Sequence, residues 1–505
     1  MCELIAASLF PHKVHATVSS MPCIPINSEC VPTCQEHNHK DDSNTPIGFV
    51  FDIDYEELET LVKENKVPAS VAETVALLDL AASGASQVPA AVTRLLSRSE
   101  MFANKNALQA VRKEADGLED AKTWLLGSAR EKEDVIKESK HTGVSIHLGQ
   151  LMSICSEKFS EMAEHLRVLK GRIVYRGDIG RDENGAAAIY QDMAASPTSV
   201  QGLNACLAYG SIRGHKVTAA DAIKAYVQST LKSKHVTWIE LPPELRPTSW
   251  QGKFRRPVVI LNKALYGHPE AGAHWERHLE DVVVKQGKAI KLSPEFPSNY
   301  FFPDSKLLLT VYVDDLTLAG PEGKHDEFWK WLQDKVDIEP PEPASRILGR
   351  YHDISTSVDG SQVSFNMEDY SQQCCDLYLS IEGSKPLKRV PTPFVPDGSL
   401  TVEDDEIKGA LAPNAAKMLM KCLWLARLSR PDLLKPINDL ASCIQNWSIN
   451  CDRQLYRLVC YIHSTPELRL KEYVKDPAKD LKLRLYADAD FAGCRLTARS
   501  TSGYT

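Results

Sequence analysis

The amino-acid sequence predicts an α+β protein of several domains, and three observations lead to that class. Two β-rich runs, Leu307–Val313 and Leu316–Gly320, lie at hairpin spacing, a strand-then-helix pattern follows Gly214, and residues from about Glu368 to Ile462 read as mainly helical. A chain of 505 residues has room for about three domains, and 43% hydrophobic with 25% charged residues is the balance of a folded globular protein.

Residues 1 to about 50 carry little periodicity and many Pro, Ser, Asn, His and Cys residues, which is the pattern of a weakly ordered arm. Cys23, Cys30, Cys34, His37 and His39 are zinc-type ligands there, but their spacing fits no standard finger and solvated side chains are the simpler reading. From about Tyr55 to Val135 a mainly helical extension is expected: Leu61, Val67, Val71, Val75 and Leu78 fall at helical spacing, then Ala107, Val111, Leu118 and Trp124–Leu125. RVLKGRIVY (Arg167–Tyr175) alternates basic and apolar residues, as a strand with one wet cationic face does. HKVTAA then leads to Asp221, after which Ile223, Tyr226, Val227 and Leu231 recur at helical spacing, so Asp221 is placed at a strand end.

Between the two β-rich runs only Asp314 and Asp315 intervene, so adjacent carboxylates are expected at a hairpin tip. Ile347–Ile354 and Gln362–Phe365 predict a second hairpin around SVDGS. The proline-rich Lys388–Gly398 reads as a linker, and LKLRLYADADF (Leu481–Phe491) as the first strand of a further unit.

Composition narrows the function. With 59 Lys and Arg against 67 Asp and Glu the net charge is −8, which excludes a nucleic-acid binder relying on a strong overall basic field and leaves local clusters such as Lys170, Arg172 and Arg176 and the stretch Arg453–Arg484. Thirteen cysteines are too few for a disulfide-built scaffold, so reduced thiols are expected. The uncharged stretch Met193–Ile212 is interrupted by Pro197, Gly202, Asn204 and Gly210, and no membrane span is expected. The opening residues lack the basic start of a secretory signal, which makes an intracellular protein the default.

Chemistry that uses two divalent metals in phosphoryl transfer needs aspartates from separate elements converging on one point, and Asp221 with Asp314 and Asp315 would supply them. On spacing alone, an Asp pair in a turn is more often solvated, because Asp suits turns for local reasons. The surrounding words are more specific. YVDDLTLAG (Tyr312–Gly320) resembles the YVDD box of a reverse transcriptase, and ALYGHPEAGAHWERHL (Ala264–Leu279) resembles the LYG…W block of copia-type retrotransposons. KGRIVYRG (Lys170–Gly177), DAIKAYV (Asp221–Val227), ILGRYHDI (Ile347–Ile354), SRPDLL (Ser429–Leu434) and YADADFAGCRLTARSTSGY (Tyr486–Tyr504) match in the family's order, and AVRKEADGLEDAKTW (Ala110–Trp124) extends the likeness back to about residue 105.

The resemblance implies a right-hand polymerase with fingers, a ferredoxin-like palm and a thumb over residues 101–400. It implies a helical connection segment over 401–480 and the truncated start of an RNase H-like domain over 481–505, and it leaves 1–100 unassigned. It further implies an RNA-directed DNA polymerase acting on dNTPs and an RNA or DNA template-primer duplex, within a Pol polyprotein whose other parts are further partners. Cytoplasmic virus-like particles, the nucleus or both are the implied location. By motif position, Asp221, Asp314 and Asp315 would hold two Mg²⁺ ions (or Mn²⁺), with Lys170, Arg172, Tyr226 and Tyr266 at the nucleotide, Tyr226 as steric gate, and Leu348 and Gly349 in the primer grip. Asp488 would be the remnant of the RNase H site, whose remaining carboxylates fall beyond Thr505, so no RNase H activity is expected of this chain. Two departures stand out: the class's LYGLKQAPRAW reads LYGHPEAGAHW here, with Pro269, Glu270 and Gly272 replacing Lys, Gln and Pro, and motif A reads DAIKAYV for DVKTAFL. The second keeps Asp and the aromatic five residues on and is benign, whereas the altered LYG block and the missing RNase H raise the alternative of a decayed or domesticated retroelement fragment that binds nucleic acid without polymerising.

Overall fold

The structure, a computed structural model, describes residues 49–50, 93–158, 168–191, 193, 195–293, 296–357, 360–396, 398–476, 478–481, 486–489 and 502–504. Residues 93–475 form one compact unit, and residues 49–50 belong with those after Lys475 to a second.

The larger unit opens with a short strand, Thr93–Leu95 (β1), and two helices, Arg98–Ala103 (α1) and Lys105–Asp120 (α2). Asn104 caps α2 by accepting the N–H groups of Asn106 and Ala107, and Ala107, Val111, Ala115 and Leu118 make its buried face. Strand Trp124–Glu131 (β2), helix Lys132–Thr142 (α3), strand Ile146–Lys158 (β3) and strand Val168–Tyr175 (β4) follow. The helical expectation for Trp124–Leu125 is corrected here. Lys122 turns to φ +53° and the Thr123 N–H closes on the Leu118 carbonyl, so the helix stops and Trp124 starts a strand, buried where Leu125 is exposed. Gly171 lets β4 press against α2, since a Cβ would lie 2.5 Å from the Ala110 carbonyl and from the Val111 backbone.

Helix Val200–Gly210 (α4) comes from within the uncharged stretch; among the described residues no helix is long and apolar enough to cross a membrane. Strand His215–Asp221 (β5) leaves for a second sheet, while Val236–Glu240 (β6) and Pro257–Leu261 (β7) complete the first in the order β1-β3-β6-β7-β2, with β4 paired to β3. After Asp221 the expected helix is a single 3₁₀ turn, Ala225–Gln228. The Ile223 N–H is bonded to the Asp337 carbonyl, and Lys224 lies at φ +49°, so the segment cannot close an α-helical ladder.

The second sheet is built from helix Ala271–Glu280 (α5), strands Ile290–Ser293 (β8), Phe296–Phe302 (β9), Leu307–Tyr312 (β10) and Asp315–Pro321 (β11), helix His325–Gln333 (α6) and strand Glu342–Pro343 (β12). Its strand order is β12-β5-β11-β10-β9-β8, antiparallel throughout. Period-two alternation sends Leu307, Leu309 and Val311 into a core with Trp275 and Leu279 of α5 and Phe328, Trp329 and Leu332 of α6. On the opposite face the α4 thiol of Cys206 lies against the Leu308 and Thr317 carbonyls.

A third sheet has the order β13-β14-β15-β16, with Arg346–Ile347 (β13), Arg350–Ser357 (β14), Gly360–Asn366 (β15) and, far along the chain, Lys471–Val474 (β16). The run expected as one strand from Ile347 to Ile354 is therefore two, broken at Leu348 and Gly349, both at positive φ (+53° and +78°). Between β15 and β16 come the helices Glu368–Leu379 (α7), Ala412–Leu428 (α8), Leu434–Ser442 (α9) and Ile449–Ser464 (α10), which share one core running from Met367 to Ile462. The segment read as a linker is laid on α10. The Val390 N–H bonds to the Ser464 hydroxyl, Arg457 donates to the Thr392 carbonyl and the Tyr456 hydroxyl to the Pro386 carbonyl, each at 2.7–2.9 Å.

Arg350 ties these parts together. Its guanidinium is fully buried over the Phe365 ring (3.8 Å) and donates to the Leu428 carbonyl at the end of α8, to Asn204 of α4 and to His352. Burial pushes its pKa down to about 10. Glu472 of β16 lies near it with one oxygen, Oε2, buried and without a hydrogen-bond partner, and burial raises that carboxyl to about 7 against the opposing pull of Arg350.

In the second unit, Tyr486–Ala489 pairs antiparallel with Phe49–Val50 on one side and Ser502–Tyr504 on the other. The cysteine and histidine cluster of the arm and Leu61–Leu78 lie outside the described residues.

Candidate active site

Strand β5 ends at Asp221, and its antiparallel register with β11 sets Asp221 directly opposite Asp315. Strands β10 and β11 pair up to Tyr312 and Asp315, so the two-residue turn is Val313–Asp314 rather than the aspartate pair itself: Asp314 tops the turn and Asp315 begins the strand. Val313 adopts φ +60°, a conformation sparsely open to a β-branched residue, where hairpin turns ordinarily use glycine. Two donors hold the turn's carbonyls. The Ala222 N–H reaches the Asp314 carbonyl and the Trp275 indole N–H reaches the Val313 carbonyl, each at 2.7 Å.

Asp221 and Asp314 are exposed and Asp315 is half-buried. Burial first, then the charges of Asp314 and Asp221, push the Asp315 carboxyl up to about 7. Asp221, Asp314 and Asp315 thus lie near enough for the first two to act on the third, and carboxylate oxygens are the donors a hard divalent cation suits. Among the described residues no three His, Cys, Asp or Glu side chains already close into a metal cage.

Beside the carboxylates stands an aromatic and cationic wall. The Tyr226 and Tyr266 rings meet edge to face at 5.0 Å, and the Arg172 guanidinium lies 5.3 Å over Tyr266. Burial, then the nearby Asp314 charge, raise the Tyr226 phenol to about 12; Tyr266 is raised by burial while Arg172 draws it back. Lys170 lies two residues before Arg172 on β4, on the same side of that strand, and is exposed. The Tyr175 N–H bonds to the Tyr266 carbonyl at 2.7 Å, and Gly267, at φ +84°, fits because a Cβ would lie 2.2 Å from the Tyr175 carbonyl oxygen.

The departures in the LYG block turn inward. His268 and Glu270 are buried, with Glu270 accepting the Gln191 N–H at 3.1 Å and meeting the Ser233 hydroxyl, while burial drives the His268 imidazole down to about 4. These replacements serve packing between the loop at Gln191 and the start of α5. Leu348 and Gly349 occupy the β13–β14 turn in the third sheet, whereas the carboxylates are carried by the second. Asp488 pairs with Gly503 in the other unit. Sequence reasoning quoted Trp275 within its block but gave it no role; the indole donor to the turn is visible only in three dimensions.

No family model matches the chain. It is similar to two transposon polyproteins of Saccharomyces cerevisiae (strain ATCC 204508 / S288c), the Ty1-BL and Ty1-MR1 Gag-Pol polyproteins, each 22% identical over 341 residues that make up 64% of this chain and 18% of the relative. A solved structure titled as the foamy viral protease-reverse transcriptase dRH in complex with ds DNA matches at 11% identity and a TM-score of 0.30, covering 75% of this chain and 62% of that one. The chain is homologous to retroelement polyproteins. Its homologues are the copia-type Gag-Pol polyproteins of Ty1, of whose length it spans 18%.

Proposed function

We propose that this chain is the RNA-directed DNA polymerase region of a copia-type Pol polyprotein, extending a primer with dNTPs on an RNA or DNA template. The observation that carries the reading is the register that sets Asp221 against Asp315 with Asp314 on the adjoining turn. Asp221 and Asp314 would be the main holders of two Mg²⁺ ions, or Mn²⁺, with Asp315 a weaker partner. Held there, such ions would supply a lowered pKa for the primer 3′-hydroxyl and charge balance for the triphosphate and its pyrophosphate leaving group.

The chain's own groups do the rest. Arg172, fixed over Tyr266, and the exposed Lys170 contact the triphosphate. Tyr226, whose ring meets that of Tyr266, would act as the steric gate, discriminating by bulk against a ribose 2′-hydroxyl. In this reading the first sheet with α1–α3 is the fingers and the second, with α4–α6, a ferredoxin-like palm. The third sheet is the primer grip leading into a thumb, and the helices after residue 400 are the connection. A template-primer duplex would lie along the palm, gripped by the Leu348–Gly349 turn. Interior packing of His268 and Glu270 supports an active enzyme over a non-catalytic copy, since the altered block keeps Tyr266 and Gly267 in place.

The test is primer extension on a heteropolymeric RNA template with Mg²⁺ or Mn²⁺. Asp314→Ala is expected to abolish synthesis while leaving metal-free duplex binding largely intact. Retained synthesis in the variant removes Asp314 from the site, and a folded wild type that binds duplex without extending it refutes the polymerase.

A further inference from the structure

We propose that Trp275 is a positioning residue for the carboxylate turn: its indole N–H, by holding the Val313 carbonyl, fixes the peptide that carries Asp314. This inference rests on the polymerase reading above.

The turn presents two carbonyls, and each is taken by a donor from a different element. The Asp314 carbonyl receives the Ala222 N–H, one residue beyond Asp221, which locks the turn to the strand bearing the other carboxylate. The Val313 carbonyl receives Trp275 Nε1, 38 residues away in sequence, from helix α5. Local preference does not hold this turn. Valine at φ +60° is in a region that branched side chains seldom occupy, and rotation of the Val313–Asp314 peptide toward ordinary extended geometry would relieve it. That same rotation would swing the Asp314 carboxylate away from Asp221.

A hydrogen bond to the Val313 carbonyl opposes the rotation only if the donor cannot follow it. Trp275 is 2% exposed and packed with Leu279, Val311 and Leu316 in the core beneath the sheet, so its N–H is directed from a fixed ring. Core burial alone would be served equally by phenylalanine. What the indole adds is one donor placed at the one strained residue of the turn.

Two replacements separate the hydrogen bond from the bulk. Trp275→Phe keeps an aromatic ring and removes the N–H; β-(3-benzothienyl)alanine placed at position 275 keeps the bicyclic shape and puts sulfur where the N–H was. Primer extension and Mn²⁺ binding, read from the loss of the free-ion electron paramagnetic resonance signal, are measured on the full chain, with Asp314→Asn alongside. The kcat is expected to fall roughly tenfold to a hundredfold in both replacements, the loss that a small misplacement of a reacting group brings. Mn²⁺ binding weakens with it, while the dNTP KM, the duplex affinity and the thermal midpoint of the benzothienyl protein stay near wild type. Wild-type kcat and Mn²⁺ binding in the benzothienyl protein overturn the inference and leave the polymerase reading standing. An Asp314→Asn chain that extends primers and binds Mn²⁺ as wild type does removes the polymerase reading itself, and the inference with it.

Discussion

Replacing Glu472 by Gln removes a charge that the fold holds against its solvation preference. The carboxyl sits near 7 in the folded chain against an ordinary 4.5, so folding favours its protonated form. The stability this contributes is complete below about pH 4.5 and is lost as the pH rises through about 7. A rise from 4.5 to about 7, at 1.36 kcal/mol per unit, corresponds to about 3 kcal/mol by pH 8. Unfolding entropy of ~2.1 cal/mol/K per residue over Pro89–Lys475 makes that about 4 °C in thermal midpoint. Scanning calorimetry of both proteins from pH 4.5 to 8 is the assay. Near pH 4.5 both carry a neutral side chain and their midpoints coincide; by pH 8 the Gln variant melts about 4 °C higher. A difference that stays constant with pH, or one that favours wild type at pH 8, refutes the reasoning. The second outcome would mean that the pairing of Glu472 with Arg350 outweighs its desolvation.

Gly267→Ala should destabilise the larger unit by roughly 2–5 kcal/mol, combining a left-handed backbone with a methyl driven against the Tyr175 carbonyl; chemical denaturation checks it, and a midpoint equal to wild type would contradict the contact. Tyr226→Ala should raise ribonucleotide incorporation relative to dNTPs by about tenfold or more while primer extension with dNTPs persists, read by parallel extension assays with each nucleotide set.

Much of the fold was legible where a pattern had one physical cause. Period-two alternation in β10 and β11 and the short gap between them specify an antiparallel hairpin, and helical spacing in α2 and α7–α10 marks faces that bury against neighbours. The misreadings have causes too. Helix α4 is apolar on nearly all sides because it is sandwiched between the second sheet and later elements, so no stripe announces it. Spacing after Asp221 imitates a helix, yet the Asp337 carbonyl captures the Ile223 N–H before a ladder can begin. The turn register slipped by one because aspartate is the better turn residue on local preference, while Trp275 and Ala222, distant in sequence, hold valine there instead. For the candidate site, motif words placed the three aspartates and the Tyr226–Tyr266–Arg172 wall, but not the donors that fix them. Arg350 was invisible for the same reason: a buried guanidinium is defined by acceptors more than seventy positions away in either direction.

The contacts of Arg350 also dictate where this polypeptide can be shortened. A boundary drawn near residue 400, the end that the resemblance assigns to the polymerase region, deletes the Leu428 carbonyl that Arg350 needs and strips strand β16 from the edge of the third sheet. The exposed edge of β15 would then be open to pairing with another chain, and the stranded guanidinium would sit in apolar surroundings with one acceptor fewer. The smallest fragment expected to fold and stay monodisperse therefore runs through Val474, so that the sheet carrying the three aspartates and the helices behind it are expressed and trimmed as one piece.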